Sequence, residues 1–336
     1  MSIEKKSILI TGGAGYIGAG VAFFLAKKNY RVIIVDNLSN SNYSIINKLK
    51  KYFKDTVFFK GDISDKHILK KIFNNYDIKF VYHFAGLKSV RQSVEKPNLY
   101  LNNNVYKSKI FTEYCLKQNI KKFIFSSSAT VYGNPKYLPI DESHPIDPKN
   151  PYAISKLLFE EYLRKISYQS KTQFTILRYF NPIGAINEFN HGEIISAKAE
   201  NLFPNIILSL KNNTILNIYG NHYKTIDGTA IRDFIHIEDL VNGHIQCLKY
   251  KTNTNYNIFN LGTGNGFTVL NLVENFIRIS GRKIKYSFMP NRIGDIDISF
   301  ASPKKANKIL KWKAIRNLND MIIDSWSYYK KLIKHD

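Results

Sequence analysis

Two kinds of segment alternate through the first half of the chain. One is a short run of consecutive apolar residues; the other is a longer stretch with helical spacing of apolar and polar positions. Ser7–Ile10, Arg31–Val35, Val57–Phe59, Phe80–Phe84, Phe123–Phe125 and Thr175–Leu177 read as strands. Helices are predicted over Ala19–Lys28, Asp65–Asn75, Asn98–Gln118 and Tyr152–Gln169. Strands that are apolar throughout, alternating with helices, imply a parallel sheet covered on both faces, a doubly wound α/β architecture. After Asn181 the alternation loosens, and Ile186–Lys198 is a polar, glycine-containing stretch without periodicity. The pattern predicts a first domain over residues 1–181 and a smaller α/β lobe over 182–336, with segments near 235–261 returning to the first domain.

The first strand runs into Thr11-Gly-Gly-Ala-Gly-Tyr-Ile-Gly18, which opens a helix, and the second strand ends at Asp36. This is a β-α-β unit with glycines at the strand-to-helix turn, the Rossmann-like arrangement for a dinucleotide. Gly12 allows a sharp turn, Gly15 lets backbone approach a pyrophosphate, and Gly18 lets the helix pack close to the sheet. The helix N-terminus adds N–H groups and partial positive charge. Asp36 would accept from the ribose hydroxyls and repel a 2′-phosphate, so NAD is expected rather than NADP.

Composition narrows the function classes. The chain has 336 residues, 44% of them apolar and 22% charged, as in ordinary globular proteins. No apolar run approaches a membrane span, and the first strand starts too early for a signal peptide, so a cytoplasmic protein is expected. Cys115 and Cys247 have no metal-ligand or redox spacing, and no metal site is predicted. The net charge of +23 suggests nucleic acid. However, the lysines are spread singly and in pairs, as in Lys5-Lys6, Lys27-Lys28, Lys50-Lys51 and Lys70-Lys71, with no basic stripe interleaved with aromatics. No nucleic-acid or membrane partner is expected; the positive field would help collect an anionic ligand.

Chemistry enters with Ser126-Ser-Ser-Ala-Thr-Val-Tyr-Gly133 after a strand and Tyr152-Ala-Ile-Ser-Lys156 opening the next long helix. Four residues apart on a helix, Tyr152 and Lys156 share a face. A neighbouring ammonium is expected to lower the phenol's pKa and make Tyr152 a general base, while a serine at the strand end holds the same substrate oxygen. With 22 tyrosines in the chain, such a spacing arises by chance roughly two or three times. Tyr132 and Lys136 form another pair, but Gly133 and Pro135 lie between them and bar a helix.

With these blocks the chain resembles the extended short-chain dehydrogenase/reductase family and, within it, the UDP-glucose 4-epimerases. The likeness continues through Gly61-Asp62-Ile63, His83-Phe-Ala-Gly-Leu-Lys88, Asn103-Asn-Val105, Arg178-Tyr-Phe-Asn-Pro182, Asp227-Gly-Thr229, Arg232-Asp-Phe-Ile-His236, Asn260-Leu-Gly-Thr-Gly264 and Arg292 with Gly294-Asp295. The resemblance implies reversible 4-epimerisation of UDP-glucose and UDP-galactose through a 4-keto sugar, with tightly bound NAD and a homodimer joined through the helices Asn98–Gln118 and Tyr152–Gln169. It implies that Ser128, Tyr152 and Lys156 are catalytic. Gly12, Gly15, Tyr16, Ile17, Gly18, Asp36, Asn37, Asp62, Ile63, Phe84, Ala85, Gly86, Lys88, Asn103 and Phe180 would join them in holding NAD. Asn181, Asn201, Leu202, Arg232, Arg292, Asp295 and Ser299 would hold the UDP-sugar, with the arginines on its diphosphate.

Three positions depart from the family pattern. Arg91 replaces the usual glycine, Ile186–Lys198 follows it loosely, and Ser299 is small where some relatives have tyrosine. In this family a small residue there leaves room for an N-acetyl group, so UDP-N-acetylglucosamine is a further expected substrate. The rival reading is an NDP-sugar 4,6-dehydratase. Such enzymes carry an Asp-Glu pair beside the serine, where this chain has Ala129 and Thr130.

Overall fold

The computed structural model describes residues 5–195, 200–292 and 295–333. A seven-stranded sheet is built from β1 (Ser7–Thr11), β2 (Arg31–Asp36), β3 (Val57–Lys60), β4 (Ile78–His83), β5 (Lys122–Ser128), β6 (Gln173–Tyr179) and an edge strand, Tyr256–Leu261. Its order is Tyr256–Leu261, β6, β5, β4, β1, β2, β3, and the pairings from β3 through β5 are parallel. The chain starts at β1, builds outward to β3, then crosses to β4 on the opposite flank of β1. That reversal is a topological switch point, where loops leaving neighbouring strand ends diverge and open a crevice.

Apolar side chains on both faces of the strands explain the continuous hydrophobic runs. Ile8, Leu9, Ile10, Ile33, Ile34 and Val81 have no exposed surface. One core layer joins Leu9, Ile33, Val81, Phe123 and Ile176 to Phe111 and Phe159 from the covering helices. Helix starts are set by short polar residues. Asp65 accepts from the N–H groups of His67 and Ile68 ahead of Lys66–Asn75. Asn150 accepts from Ala153 N at 2.9 Å, with Pro151 at the first helical position of Pro151–Ser167.

The chain divides into two compact units. The first comprises residues 1–131, 148–178 and 241–259; the second comprises 132–147, 179–240 and 260–336. This differs from the expected division at 181/182, because Tyr132–Asp147 groups with the second unit. The segment near 235–261 that groups with the first unit is Val241–Phe259. The second unit has its own core, including Ile206, Ile207, Leu272, Phe276, Met321 and Ile322. Short strands carry its loops: Asn181–Ile183 pairs with Phe234–His236, and Ile231–Arg232 lies between Phe267–Thr268 and Ile298–Ser299.

Two helical predictions need correction. Tyr43–Tyr52 is a helix that the sequence reading omitted, capped by Asn42. The span predicted as one helix over Asn98–Gln118 is three pieces: Pro97–Tyr100, a π-helical turn Leu101–Tyr106, and Lys107–Lys117.

Candidate active site

At the end of β1 the chain turns at Gly12, whose φ is +68°. A Cβ there would come within 2.6 Å of Ala85 N and 2.8 Å of the Phe84 carbonyl carbon, so the loops after β1 and β4 meet only because Gly12 has no side chain. A Cβ on Gly18 would run into the Gly12 carbonyl oxygen. Gly15 donates its N–H to Gly12 O at 3.1 Å and is the N-cap of α1 (Tyr16–Lys27). That helix, opened by Tyr16 and Ile17, has no side-chain cap and no acidic residue in its first turn. Its partial positive charge is therefore left for an external anion.

Asp36, buried at the end of β2, accepts from Ala14 N at 3.0 Å, Leu38 N at 2.8 Å and Ser41 Oγ at 3.1 Å. It thus fixes the glycine loop to the tip of β2, while Asn37 is exposed and accepts from Ser39 N at 3.0 Å. Beyond β3, Asp62 accepts from Ser64 N at 2.9 Å and pairs with Lys107, next to the buried Ile63. Burial works against its charge, but Lys107 and Ser64 outweigh burial and hold the carboxyl below its ordinary range. The turn, the uncapped helix and the strand-tip carboxylate fit a dinucleotide.

The catalytic candidates converge at the end of β5. Tyr152 and Ser128 hydrogen-bond through their hydroxyls. Ser128 Oγ also accepts from Thr130 N at 3.2 Å and Thr130 Oγ1 at 2.9 Å. Lys156 Nζ donates to the Ser126 carbonyl at 2.8 Å and lies 5.9 Å from the Tyr152 ring centroid. The expected lowering of the Tyr152 pKa is reversed: burial raises it, and the Ser128 hydrogen bond offsets only part. Lys156 is turned to a backbone carbonyl instead of the phenol. Burial lowers Lys156 to about 8, with Glu160 pulling it back upward. By contrast, Tyr132 donates to Asn260 Oδ1 at 2.7 Å, a contact unrelated to Lys136.

The loop after β4 completes this side of the site. Gly86 lies so close that a Cβ would be 3.3 Å from Asn104 Oδ1 and 3.6 Å from Lys156 Nζ. Asn103 donates to Asn104 Oδ1 at 3.0 Å, and Lys88 is exposed. The sequence reading missed Asn104. Its buried amide accepts from Leu87 N at 2.8 Å and donates to Leu87 O and Ser155 Oγ, each at 3.0 Å. Glu160 was missed too, although its place four residues after Lys156 was the available signal. Arg91 is no part of this group: its side chain is 82% exposed and pairs with Glu95.

In the second unit, Arg232 donates to Asp295 and, at 2.9 Å, to the Ile231 carbonyl. Ser299 is buried and is the strand partner of Arg232. Asp295 N donates to Arg292 O at 3.1 Å, and the Arg292 guanidinium lies 4.0 Å from the Tyr219 ring centroid. Arg292 also donates to the Glu200 carbonyl at 3.3 Å, next to Asn201, which precedes Leu202–Asn212. Asn181 N donates to the Asp233 carbonyl at 3.0 Å, and Phe180 N to Leu261 O at 3.3 Å. Asn181, Arg232, Asp295, Arg292 and Asn201 are thus linked directly or through a chain neighbour. Gly294 and residues 196–199 of the Ile186–Lys198 stretch lie outside the described residues.

Among the described residues no cluster of His, Cys, Asp or Glu could hold a metal, and no helix is long and apolar enough to cross a membrane. Residues 8–262 match the NAD dependent epimerase/dehydratase family. The chain is 43% identical over 328 residues to a UDP-glucose 4-epimerase of Yersinia enterocolitica, covering 96% of this chain and 97% of the relative. It superposes with TM-score 0.94 and 33% identity on UDP-glucose-4-epimerase from Stenotrophomonas maltophila with bound NAD and formylated UDP-arabinopyranose, covering 98% and 100% of the two chains. The UDP-Glc/GlcNAc 4-epimerase of Campylobacter jejuni gives TM-score 0.82 at 32% identity, covering 97% and 99%.

Proposed function

The chain belongs to the NAD dependent epimerase/dehydratase family, and we propose that it interconverts UDP-glucose and UDP-galactose by inversion at the sugar C4. The observation that carries this reading is the convergence of Ser128, Tyr152 and Lys156 at the end of β5, beside the Gly86 loop. Gly12, Gly15, Gly18 and Asp36 would hold the dinucleotide, with Asp62, Ile63, Phe84, Lys88, Asn103 and Phe180 along it. When bound, NAD supplies an acceptor that can return its hydride.

Tyr152 takes the proton of the 4-hydroxyl and returns it to the 4-keto sugar from the opposite face. Ser128 holds that oxygen during the transfer. Lys156 supplies positive charge next to the phenol, which burial alone would keep protonated. Arg232 and Arg292 would pair with the substrate diphosphate, and Asn181, Asn201, Leu202 and Asp295 with the rest of UDP. Holding the diphosphate firmly and the sugar loosely is what lets the sugar turn over between the two half-reactions. The dehydratase alternative lacks an acid beside Ser128, where Ala129 and Thr130 stand.

Ser299 supports a second substrate. Small and buried on the strand beside Arg232, it would leave space for an N-acetyl group, so UDP-N-acetylglucosamine is also converted. We further place the protein in the cytoplasm, supported by two buried free cysteines, and assign it a homodimer. The dimer is supported by Leu99, Tyr106, Ile110, Ile154 and Leu158, all about 40% exposed or more on the helical segments Pro97–Lys117 and Pro151–Ser167.

Purified protein incubated with UDP-galactose or UDP-N-acetylgalactosamine, without added NAD, should yield the C4 epimer of each. Tyr152→Phe should lose about 10²–10⁴-fold in kcat while remaining folded, the range for loss of a general base. Retained turnover would remove Tyr152 from this role.

A further inference from the structure

The serine run at the end of β5 meets one face of the helix Pro151–Ser167 residue by residue. Ser128 hydrogen-bonds Tyr152, the Ser126 carbonyl accepts from Lys156 at 2.8 Å, and Ser127 Oγ donates to Glu160. Tyr152, Lys156 and Glu160 are spaced four apart, so they stack along that face. Glu160 is 1% exposed and Arg178 of β6 is 3% exposed. Arg178 Nε donates to both Glu160 oxygens, at 3.0 and 3.2 Å, and Nη2 adds a further bond. A carboxylate this deep is costly unless well paired, and here Ser127 of β5 and Arg178 of β6 donate to it.

We propose that Glu160, clamped by Arg178 and Ser127, is a positioning residue for proton transfer, fixing Lys156 against the strand end and keeping its ammonium charged beside Tyr152. The groups around Lys156 favour this assignment. From β4 comes His83, whose ring bonds Thr11 Oγ1 at 2.7 Å and Ser108 Oγ at 2.9 Å. Burial, then the Lys156 charge, lowers His83 to about 3, so it is neutral and offers Lys156 no anion. From β5 come the Ser126 carbonyl and the Phe125 ring, whose centroid is 4.9 Å from Nζ. Glu160 is the anion that offsets burial of the ammonium.

This inference rests on Tyr152 being the base. Glu160→Gln alone leaves Arg178 buried without its anion, so the deciding variant is Glu160→Gln/Arg178→Met, which removes both charges. Without Glu160, Lys156 loses its proton at lower pH. The ratio of variant to wild-type kcat with UDP-galactose should therefore fall roughly sixfold between pH 6.5 and 8.5, with KM unchanged, as expected when the Lys156 pKa drops by about one unit from about 8. Urea unfolding without substrate gives a readout independent of turnover. An earlier-deprotonating Lys156 makes the folded variant bind fewer protons than wild type just below pH 8, so the variant's stability deficit should shrink as pH rises. A ratio or a deficit that is flat with pH reduces Glu160 to a packing element and overturns the proposal. Tyr152→Phe measured alongside separates the two readings: if it remains active the base assignment fails, whereas an inactive Tyr152→Phe with a flat ratio sinks only the role of Glu160.

Discussion

Gly12 and Gly281 share nearly the same backbone angle, φ +68° and +67°, yet their surroundings differ completely. Around Gly281, which ends the helix Val269–Ser280, a Cβ would meet nothing within 4 Å. Around Gly12 it would press on the backbone of Phe84 and Ala85. Gly281→Ala should therefore cost only the left-handed penalty, about 1–2 kcal/mol. Gly12→Ala adds separation of two strand ends, and roughly 2–4 kcal/mol is expected. Urea midpoints would compare the two, and absorbance of released nucleotide would show that only Gly12→Ala loses NAD. The turn at Gly12 was legible in the glycine spacing, whereas its approach to the loop after β4 was not, because nothing in the spacing names the partner strand. Nor was the direction of the Tyr152 pKa. It depends on where the Lys156 ammonium points, and a carbonyl of Ser126 takes it.

Among elements, legibility followed the strength of the hydrophobic pattern. The buried strands were readable because both faces are apolar, whereas Tyr43–Tyr52 was omitted because it buries only Ile45, Ile46 and Leu49. The π-helical turn Leu101–Tyr106 could not be read, since a single turn of i→i+5 backbone bonds leaves no signature in the spacing of apolar residues. Asn104 sits in that turn and is bound to both the N–H and the carbonyl of Leu87. It joins the loop after β4 to the helix bearing Tyr152 through Ser155. Asn104→Ala would take this partner from the Leu87 N–H and carbonyl, a loss of about 1–3 kcal/mol. Asn103, half-buried, makes one bond to Asn104 in this network, and Asn103→Ala should change the urea midpoint less. Equal losses for the two would show that the turn, rather than the Asn104 amide, holds the loop.

On the scale of the whole molecule, charge and apolar surface oppose each other. Two copies of a chain with net charge +23 repel, so the proposed association draws on the apolar side chains of Pro97–Lys117 and Pro151–Ser167. Which side chains share this patch was not legible in the sequence, because Leu99, Tyr106 and Ile110 sit on segments offset by the π-helical turn. Salt screens the repulsion over a Debye length of about 8 Å at physiological ionic strength but leaves apolar burial intact. Sedimentation velocity should therefore find a dimer that persists or tightens from low salt to 0.5 M NaCl, the reverse of an interface held by ion pairs. Ile110→Asp and Leu158→Asp place unpaired charge in that patch and should give folded monomers. Both side chains are about 40% exposed in the single chain, so neither change removes core packing and monomer folding should survive. A wild-type protein that sediments as a monomer at micromolar concentration in both salts would overturn the dimer assignment.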